Sequence, residues 1–325
     1  MKTRRLKIGF LMDPLPRIAI DKDTTFVFML EAQSRGHEIF FIAAHDLSID
    51  RTVPHAQLHP VSVQRRQGDH FTLGAPVRNR LDWLDVLFLR KDPPFDISFF
   101  FDTQIASLVE RRRTLLINDP RGLREANEKL YALNFPELVP ESLVTSDLSL
   151  LRSFLADVGG EMIVKPLDGA GGAGVLHVQR ADRNLNALLE LATAYGTRLT
   201  MAQRYLPEVR TGDKRIVVID GEPRGAILRV PREDEHRSNL HVGGSAVASE
   251  ITPRDREICA RLAPRLKADG LVFVGLDVIG DFLTEVNVTS PTGVQEINAL
   301  SGTHLQGEML DWVERHAADL ERDRS

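Results

Sequence analysis

An α/β part built on a parallel sheet, followed by an α+β part, is the fold class this sequence predicts, on three observations. Short apolar runs alternate with helix-like segments from Ile8 to Ile117, the pattern of a parallel sheet with right-handed crossovers. Later strand-like runs come in pairs, joined at Asp220-Gly221 and around Gly280-Asp281, and such turn dipeptides make antiparallel hairpins. The change between the two patterns falls at Asn118-Asp119-Pro120. At 325 residues the chain exceeds what one core usually supports, about 250–300 residues. A domain boundary is therefore expected near residue 122.

The elements follow in order. Ile8–Met12 is a short apolar strand, and Asp23 can cap a helix carrying Phe26, Phe28, Met29 and Leu30 that stops at Gly36. Glu38–Ala43 is the next strand. Trp83–Leu89 is a third, apolar enough to be buried on both faces. Phe99 to Arg113 reads as a helix and Thr114–Ile117 as a strand. Arg51–Val63 and His70–Arg78, around Gln67-Gly68-Asp69, read as an inserted hairpin of no evident role. Past the boundary come a charged helix, a strand at Glu141–Thr145, a helix over Asp147–Val158 and a strand at Glu161–Pro166. The hairpin arms are Lys214–Ile219 with Pro223–Val230, then Leu271–Ile279 with Phe282–Val288. Pro231–Ser249 is polar and aperiodic, as functional loops often are. The charged tail Glu314–Arg324 reads as a helix end fraying into solvent.

Composition narrows the function. Acidic residues outnumber basic ones 46 to 41, which argues against nucleic-acid binding through clustered cations but leaves room for a small anionic ligand. No apolar run reaches the length of a membrane helix. The basic start Met1-Lys2-Thr3-Arg4-Arg5 leads into Leu6–Met12, which ends in Asp13-Pro14 without a small-residue cleavage site, so a cytoplasmic location is expected. A single cysteine, Cys259, excludes an internal disulfide and reads as a buried packing residue.

Three constellations carry chemistry. Lys165 ends a strand and leads into Asp168-Gly169-Ala170-Gly171-Gly172-Ala173-Gly174. The glycines let backbone amides approach a phosphate and the lysine adds a charge. A second strand follows rather than a helix, and no Gly-Lys-Ser/Thr is present, so the unit is neither a P-loop nor a dinucleotide fingerprint. The second set is Asp277 with Glu285 and Asn287, the latter two projecting on one face of a strand. A three-residue connection would put Asp277 opposite Glu285 on that face, and a two-residue turn would put it on the other. Two carboxylates and an amide oxygen suit Mg²⁺. The third set is cationic: Lys129, Lys214, Arg215 and Arg229, with Arg215 and Arg229 on the two arms of one hairpin. Gln203, Tyr205 and Leu206, before Pro207, form an edge able to hold a planar base.

These residues, in this order, resemble the ATP-grasp enzymes, and more narrowly bacterial-type glutathione synthetase. The matching segments are Met12-Asp13-Pro14, Glu31-Ala32-Gln33, Arg90–Asp96 (RKDPPFD), Asn127-Glu128-Lys129-Leu130, Lys165–Gly169, Gly212-Asp213-Lys214-Arg215 and Thr284–Thr292 (TEVNVTSPT). The resemblance implies a Rossmann-like N-terminal substrate-binding domain over 1–122. A two-part ATP-grasp domain would follow, with a central subdomain over 123–200 and a C-terminal one over 201–325 whose lid is loop 231–249. It implies ATP-dependent ligation of γ-glutamylcysteine to glycine, with Mg²⁺, or Mn²⁺ in its place. Lys129, Lys165, Gly169, Gly171 and Gly172 would meet the phosphates, Gln203, Tyr205 and Leu206 the adenine, and Asp213 the ribose side. Asp277, Glu285 and Asn287 would hold the metal, and Asp13, Arg90, Ser290 and Thr292 would line the peptide and glycine sites. Arg215 and Arg229 are the candidates for stabilising the charge that develops during transfer. A homotetramer, without nucleic-acid or membrane partners, is the implied state.

Two other readings compete. Another carboxylate–amine ligase of the same superfamily would share the ATP and metal residues, and only Arg90–Asp96 and Ser290–Thr292 argue against it. A nucleotide-binding regulatory protein would have lost part of the metal or cationic set, which is complete here.

Overall fold

Apolar strands dictate the first layer. The computed structural model describes residues 4–232 and 244–322. Strand β1 (Lys7–Met12) pairs in parallel with β2 (Glu38–Ile42) on one side and β7 (Val86–Arg90) on the other, and β7 pairs in parallel with β8 (Leu115–Ile117). Every residue of β7 is buried, as expected for a strand covered on both faces. Helix α1 (Thr24–Ser34) connects β1 to β2, and the Asp23 carboxylate accepts the Phe26 N–H at 2.6 Å as its cap. Between β2 and β7 lie β3 (Leu47–Asp50), β4 (Val53–Val63), β5 (Phe71–Leu73) and β6 (Val77–Arg80). Strand β4 pairs antiparallel with β2 and also with β3, β5 and β6. The expected inserted hairpin is therefore an antiparallel extension of the sheet edge.

Two boundaries differ from expectation. The Asp96 carboxylate caps α2 (Ile97–Ala106) by accepting from Phe99 N, so the helix starts before Phe99. It ends well before Arg113, where turn hydrogen bonds such as Leu108 N to Ile105 O take over. Trp83 sits in a short 3₁₀ turn, not in β7.

Helix α3 (Pro120–Glu125) leads to a second sheet made of β9 (Ser142–Thr145), β10 (Glu161–Pro166), β11 (Leu176–Gln179) and β12 (Thr200–Arg204), in the order β11-β10-β12-β9. Helices α4 (Leu148–Asp157) and α5 (Leu185–Ala192) cover it. Its core of Leu151, Leu155, Met162, Val164, Val178, Leu189, Ala192 and Ala202 is separate from the rest of the molecule.

The third sheet contains β13 (Asp213–Ile219), β14 (Glu222–Val230), β15 (Ser245–Ser249), β16 (Phe273–Ile279) and β17 (Phe282–Asn287), in the order β15-β14-β13-β16-β17. Asp220 and Gly221, with φ of 53° and 80°, make the tight turn between β13 and β14. Helix α6 (Pro253–Ala268) precedes β16, and α7 (Val294–Ser301) and α8 (Leu305–Arg322) close the chain. The expected lid is in part a strand, because Ser245–Ser249 pairs with Ala226–Val230. Residues 233–243 of that segment, with His236 and His241, lie outside the described residues.

The third sheet packs on the first. Ile216, Val218, Leu276 and Val278 share one core with Leu87, Leu89 and Leu116, and Val217, Ile219 and Phe273 share another with Phe10, Phe28 and Phe88. Phe273 meets Phe28 edge-on, with ring centroids 5.1 Å apart. Asn118, at the end of β8, ties the two together. Its Nδ2 donates to Phe273 O and Val288 O, and its Oδ1 accepts from Val272 N and Phe273 N, all at 2.8 Å. Among the described residues, no helix is long and apolar enough to cross a membrane.

Candidate active site

The second and third sheets face one another across a cavity. From the second sheet come Ile163 and Lys165 of β10, the Gly169–Ala173 loop with Val175, and the Gln203–Leu206 edge. The third sheet supplies Asp213, Asp277, Ile279, Thr284 and Glu285, and Lys129 enters from the segment after α3. Gly171, Gly172 and Gly174 adopt φ of 62°, 84° and 73°, backbone that only glycine enters without strain.

A bulge decides the geometry of the acidic set. Ile279 pairs with Phe282, so the turn has two residues and would by itself separate Asp277 from Glu285. The register then shifts between Asp277 and Val278, and Asp277 pairs with Glu285 after all. Thr284, the extra residue, donates its hydroxyl to Asp277 O at 3.1 Å. Asn287, opposite Gly275, falls on the same face, and its Nδ2 donates to Gly275 O at 3.2 Å. The amide oxygen is the end left to meet a cation. Two carboxylates and an amide oxygen on one face fit the hard-ligand preference of Mg²⁺.

Asp277 is also the centre of an ion cluster. Arg215 donates to it from Nε at 2.5 Å and Nη2 at 3.0 Å, and Arg229 Nη2 lies 3.0 Å from its Oδ2. Arg229 bonds Asp213 as well. Burial alone would push the Asp277 carboxyl up, but the two guanidiniums outweigh it and hold it well below the usual range. Asp213 moves the other way, pushed up to about 7 by burial, with Arg229 only partly offsetting this. Lys165 is held below its ordinary value by burial, against the pull of Glu285. Its Nζ lies 3.5 Å from Glu285, and Lys129 Nζ lies 3.7 Å from the same carboxylate. Lys129 Nζ also donates to Gly169 O at 2.6 Å, closing the glycine loop onto the cationic end.

The cavity thus brings together Lys129, Lys165, Gly169, Gly171, Gly172, Gln203, Tyr205, Leu206, Asp213, Asp277 and Glu285. Arg215, Arg229 and Asn287 are not among its walls; the two arginines reach it through Asp277. Lys214 points away, pairing with Asp255 at 2.6 Å.

Arg90, Ser290 and Thr292 form a neighbouring group. Buried Arg90 donates from Nη2 to Pro291 O at 3.0 Å and from Nε to Thr25 Oγ1 at 3.1 Å. Arg215 Nη1 donates to Thr292 O at 3.1 Å, so two arginines grip the 290–292 turn by its backbone. Burial brings the Arg90 guanidinium down to about 10, with Asp23 and Asp92 opposing. Asp13 is occupied by the loop that follows β7, accepting from Asp92 N at 2.7 Å and pairing with Lys91 Nζ at 2.8 Å.

Several lining residues carried no sequence signal as a site. Ile163, Val175 and Ile279 read as ordinary strand apolars, yet they wall the cavity. Glu128 sits one residue before Lys129 and accepts the Thr289 hydroxyl at 3.3 Å. Burial and the nearby Glu285 push its carboxyl up to about 7. Buried Cys259 plays no part; burial pushes its thiol up to about 12.

Comparison with known proteins shows the family. The family description "Prokaryotic glutathione synthetase, N-terminal domain" matches residues 6–124, and "Prokaryotic glutathione synthetase, ATP-grasp domain" matches residues 128–302. Glutathione synthetase of Brucella melitensis is 47% identical over 309 residues, covering 95% of this chain and 98% of that protein. The Gloeobacter violaceus glutathione synthetase is 47% identical over 313 residues, covering 95% and 96% respectively. Among solved structures, the D-cycloserine synthetase DcsG aligns with a TM-score of 0.65 at 19% identity, covering 97% of this chain and 99% of that one. The ATP-grasp ligase PsnB with a precursor peptide and AMPPNP aligns with a TM-score of 0.62 at 18% identity, covering 98% and 99%. At those identities the structural matches establish the ATP-grasp fold alone.

Proposed function

The chain belongs to the prokaryotic glutathione synthetase family, an ATP-dependent ADP-forming ligase, and from that premise we propose which of its residues join γ-glutamylcysteine to glycine. The observation that carries the assignment is one cavity walled by two lysines, a glycine loop and the Asp277–Glu285 pair. ATP lies with its base against Gln203, Tyr205 and Leu206 and its ribose toward Asp213. Its phosphates lie against Lys129, Lys165 and the Gly169–Gly172 loop. Asp277, Glu285 and Asn287 would hold magnesium, which would supply Lewis-acid stabilisation of the charge on the transferring phosphoryl group.

A carboxylate is a poor acylating agent, so it must first be activated. The dipeptide's terminal carboxylate oxygen attacks the γ-phosphorus, and the bond to the β,γ-bridging oxygen breaks to release ADP. The amine nitrogen of glycine then attacks the acyl carbon, and phosphate leaves with the electron pair of the broken C–O bond. The ammonium gives up two protons in all, one of them carried off by phosphate and the other released to solvent. Arg215 and Arg229 reinforce the charge at Asp277 as the phosphoryl group moves. Arg90, Ser290 and Thr292 receive the peptide, and Asp13 shapes their neighbourhood by fixing Lys91.

As domains we propose 1–122, 123–204 and 205–325, with the middle boundary placed after Arg204 because β12 pairs with β9 and β10. A cytoplasmic homotetramer is the proposed state, and the buried free thiol accords with a reducing compartment.

The test is ADP release with Mg-ATP, γ-glutamylcysteine and glycine, omitting each in turn. Release that needs all of them, with tripeptide formed, supports the reading. Release only with other carboxylate–amine pairs would keep the ligase and discard these substrates.

A further inference from the structure

A second cavity opens beside the nucleotide cavity and shares Gly169 with it. Its walls come from the Pro93–Phe95 loop of the N-terminal part, the segment from Leu123 to Glu128, the stem Leu167–Gly169 and Thr289. It therefore lies where the phosphate end of the nucleotide cavity meets the loop that follows Arg90. Arg124 is the one cation among these walls, and Glu128 and Asp168 are the carboxylates.

Glu128 is fixed there from both ends. Its backbone oxygen accepts from Val286 N at 2.9 Å, next to Glu285, and its side chain accepts from Thr289 Oγ1 at 3.3 Å. A carboxylate oxygen offers more than one lone pair, so that single neutral hydrogen bond leaves acceptor capacity for a cation. Arg124 is held at the same cavity, with Nη1 donating to Thr103 O and Ser107 Oγ at 2.9 Å. A carboxylate and a guanidinium at one small cavity are the complement of an amino-acid zwitterion.

We propose that this cavity is the entry subsite of the acceptor amino acid, with Glu128 holding its ammonium group and Arg124 facing its carboxylate. The subsite places the amine next to Gly169 and the phosphate end, where the activated carboxyl forms. This inference rests on the ligase reading above. Glu128 acts by charge, on binding, and a neutral nucleophile does not need it.

That distinction supplies the test. Hydroxylamine, largely uncharged near neutral pH, traps acyl phosphates without an ammonium anchor. In Glu128→Gln, hydroxamate formation from ATP and γ-glutamylcysteine should stay near the wild-type rate. The KM for glycine should rise roughly tenfold to hundredfold, the scale of a charged hydrogen bond, while the KM for ATP holds. Arg124→Gln should raise the KM for glycine and leave trapping intact. Equal loss of trapping and of ligation in Glu128→Gln would assign the residue to the ATP and metal machinery and overturn the proposal. An unchanged KM for glycine in both variants would overturn it as well. If the wild-type protein forms neither hydroxamate nor tripeptide from the dipeptide, the substrate reading itself is what fails.

Discussion

One wall of the nucleotide cavity, the β13–β17 sheet, shares its apolar cores with the N-terminal sheet, whereas the facing β9–β12 sheet keeps a small core of its own. The shared wall carries Asp277, Glu285, Arg215 and Arg229, groups whose mutual distances must stay fixed while charge develops. The separate wall carries the Gly169–Ala173 loop and the Gln203–Leu206 edge, the groups proposed above to meet the phosphates and the base. Tying the charged wall to the N-terminal sheet through Phe273 and Asn118 also fixes it against Arg90 and the peptide side. On the proposed function, the half that shares the N-terminal cores holds the chemistry, and the half with an independent core admits the nucleotide.

That contrast can be broken at several points, in decreasing order of effect. Glu285→Gln should lower turnover by about 10²–10³-fold, the scale for removing an electrostatic transition-state contact, with the thermal midpoint unchanged. A parallel loss of stability would show that the fixed wall depends on its charges for folding. Leu276→Ala and Leu189→Ala, both at fully buried residues, should each cost about 3 kcal/mol but report differently in hydrogen exchange. The first should lower protection across both the N-terminal and β13–β17 sheets, and the second only within residues 142–204. Identical patterns would mean that the two walls are not independent.

Asn118→Leu removes the side chain that serves two carbonyls and two N–H groups at the junction. About 2 kcal/mol of stability should be lost, with the KM for the dipeptide rising more than that for ATP. A smaller, pH-dependent effect sharpens the picture. Asp102 on α2 is pushed up to about 6 by burial and by Asp96, against Lys91. An acid whose folded pKa is raised stabilises fully below its unfolded value near 4 and loses that contribution as pH rises through 6. Asp102→Asn should therefore gain about 1–2 kcal/mol on the wild type between pH 4 and pH 7. Protection in residues 142–204 should not move with it.

Much of this was legible in the chain because local rules act locally. Asp23 caps the helix it precedes, and Asp220-Gly221 makes the turn it predicts. The glycine loop and the lysine at its stem form one cavity wall, as their spacing suggested. What loop length could not decide was the face of Asp277, since a bulge, with Thr284 as its extra residue, restores the pairing with Glu285. The 51–78 segment was opaque for a related reason: β4 joins the sheet by pairing with β2, a contact distant in sequence. Ile163, Val175 and Ile279 were hidden because an apolar residue on a strand reads as core until the facing sheet is known. Glu128 carries no signal of its own beside Lys129, and the second cavity exists only once the N-terminal loop and the glycine stem are brought together.

The central claim is that the peptide carboxylate is activated by phosphoryl transfer in this cavity, and oxygen transfer tests it most directly. γ-Glutamylcysteine labelled with ¹⁸O in its C-terminal carboxylate should be turned over with ATP and glycine, and the released phosphate read by mass spectrometry. The mechanism predicts one labelled oxygen in phosphate for each tripeptide formed. Phosphate free of label, alongside tripeptide, would contradict it.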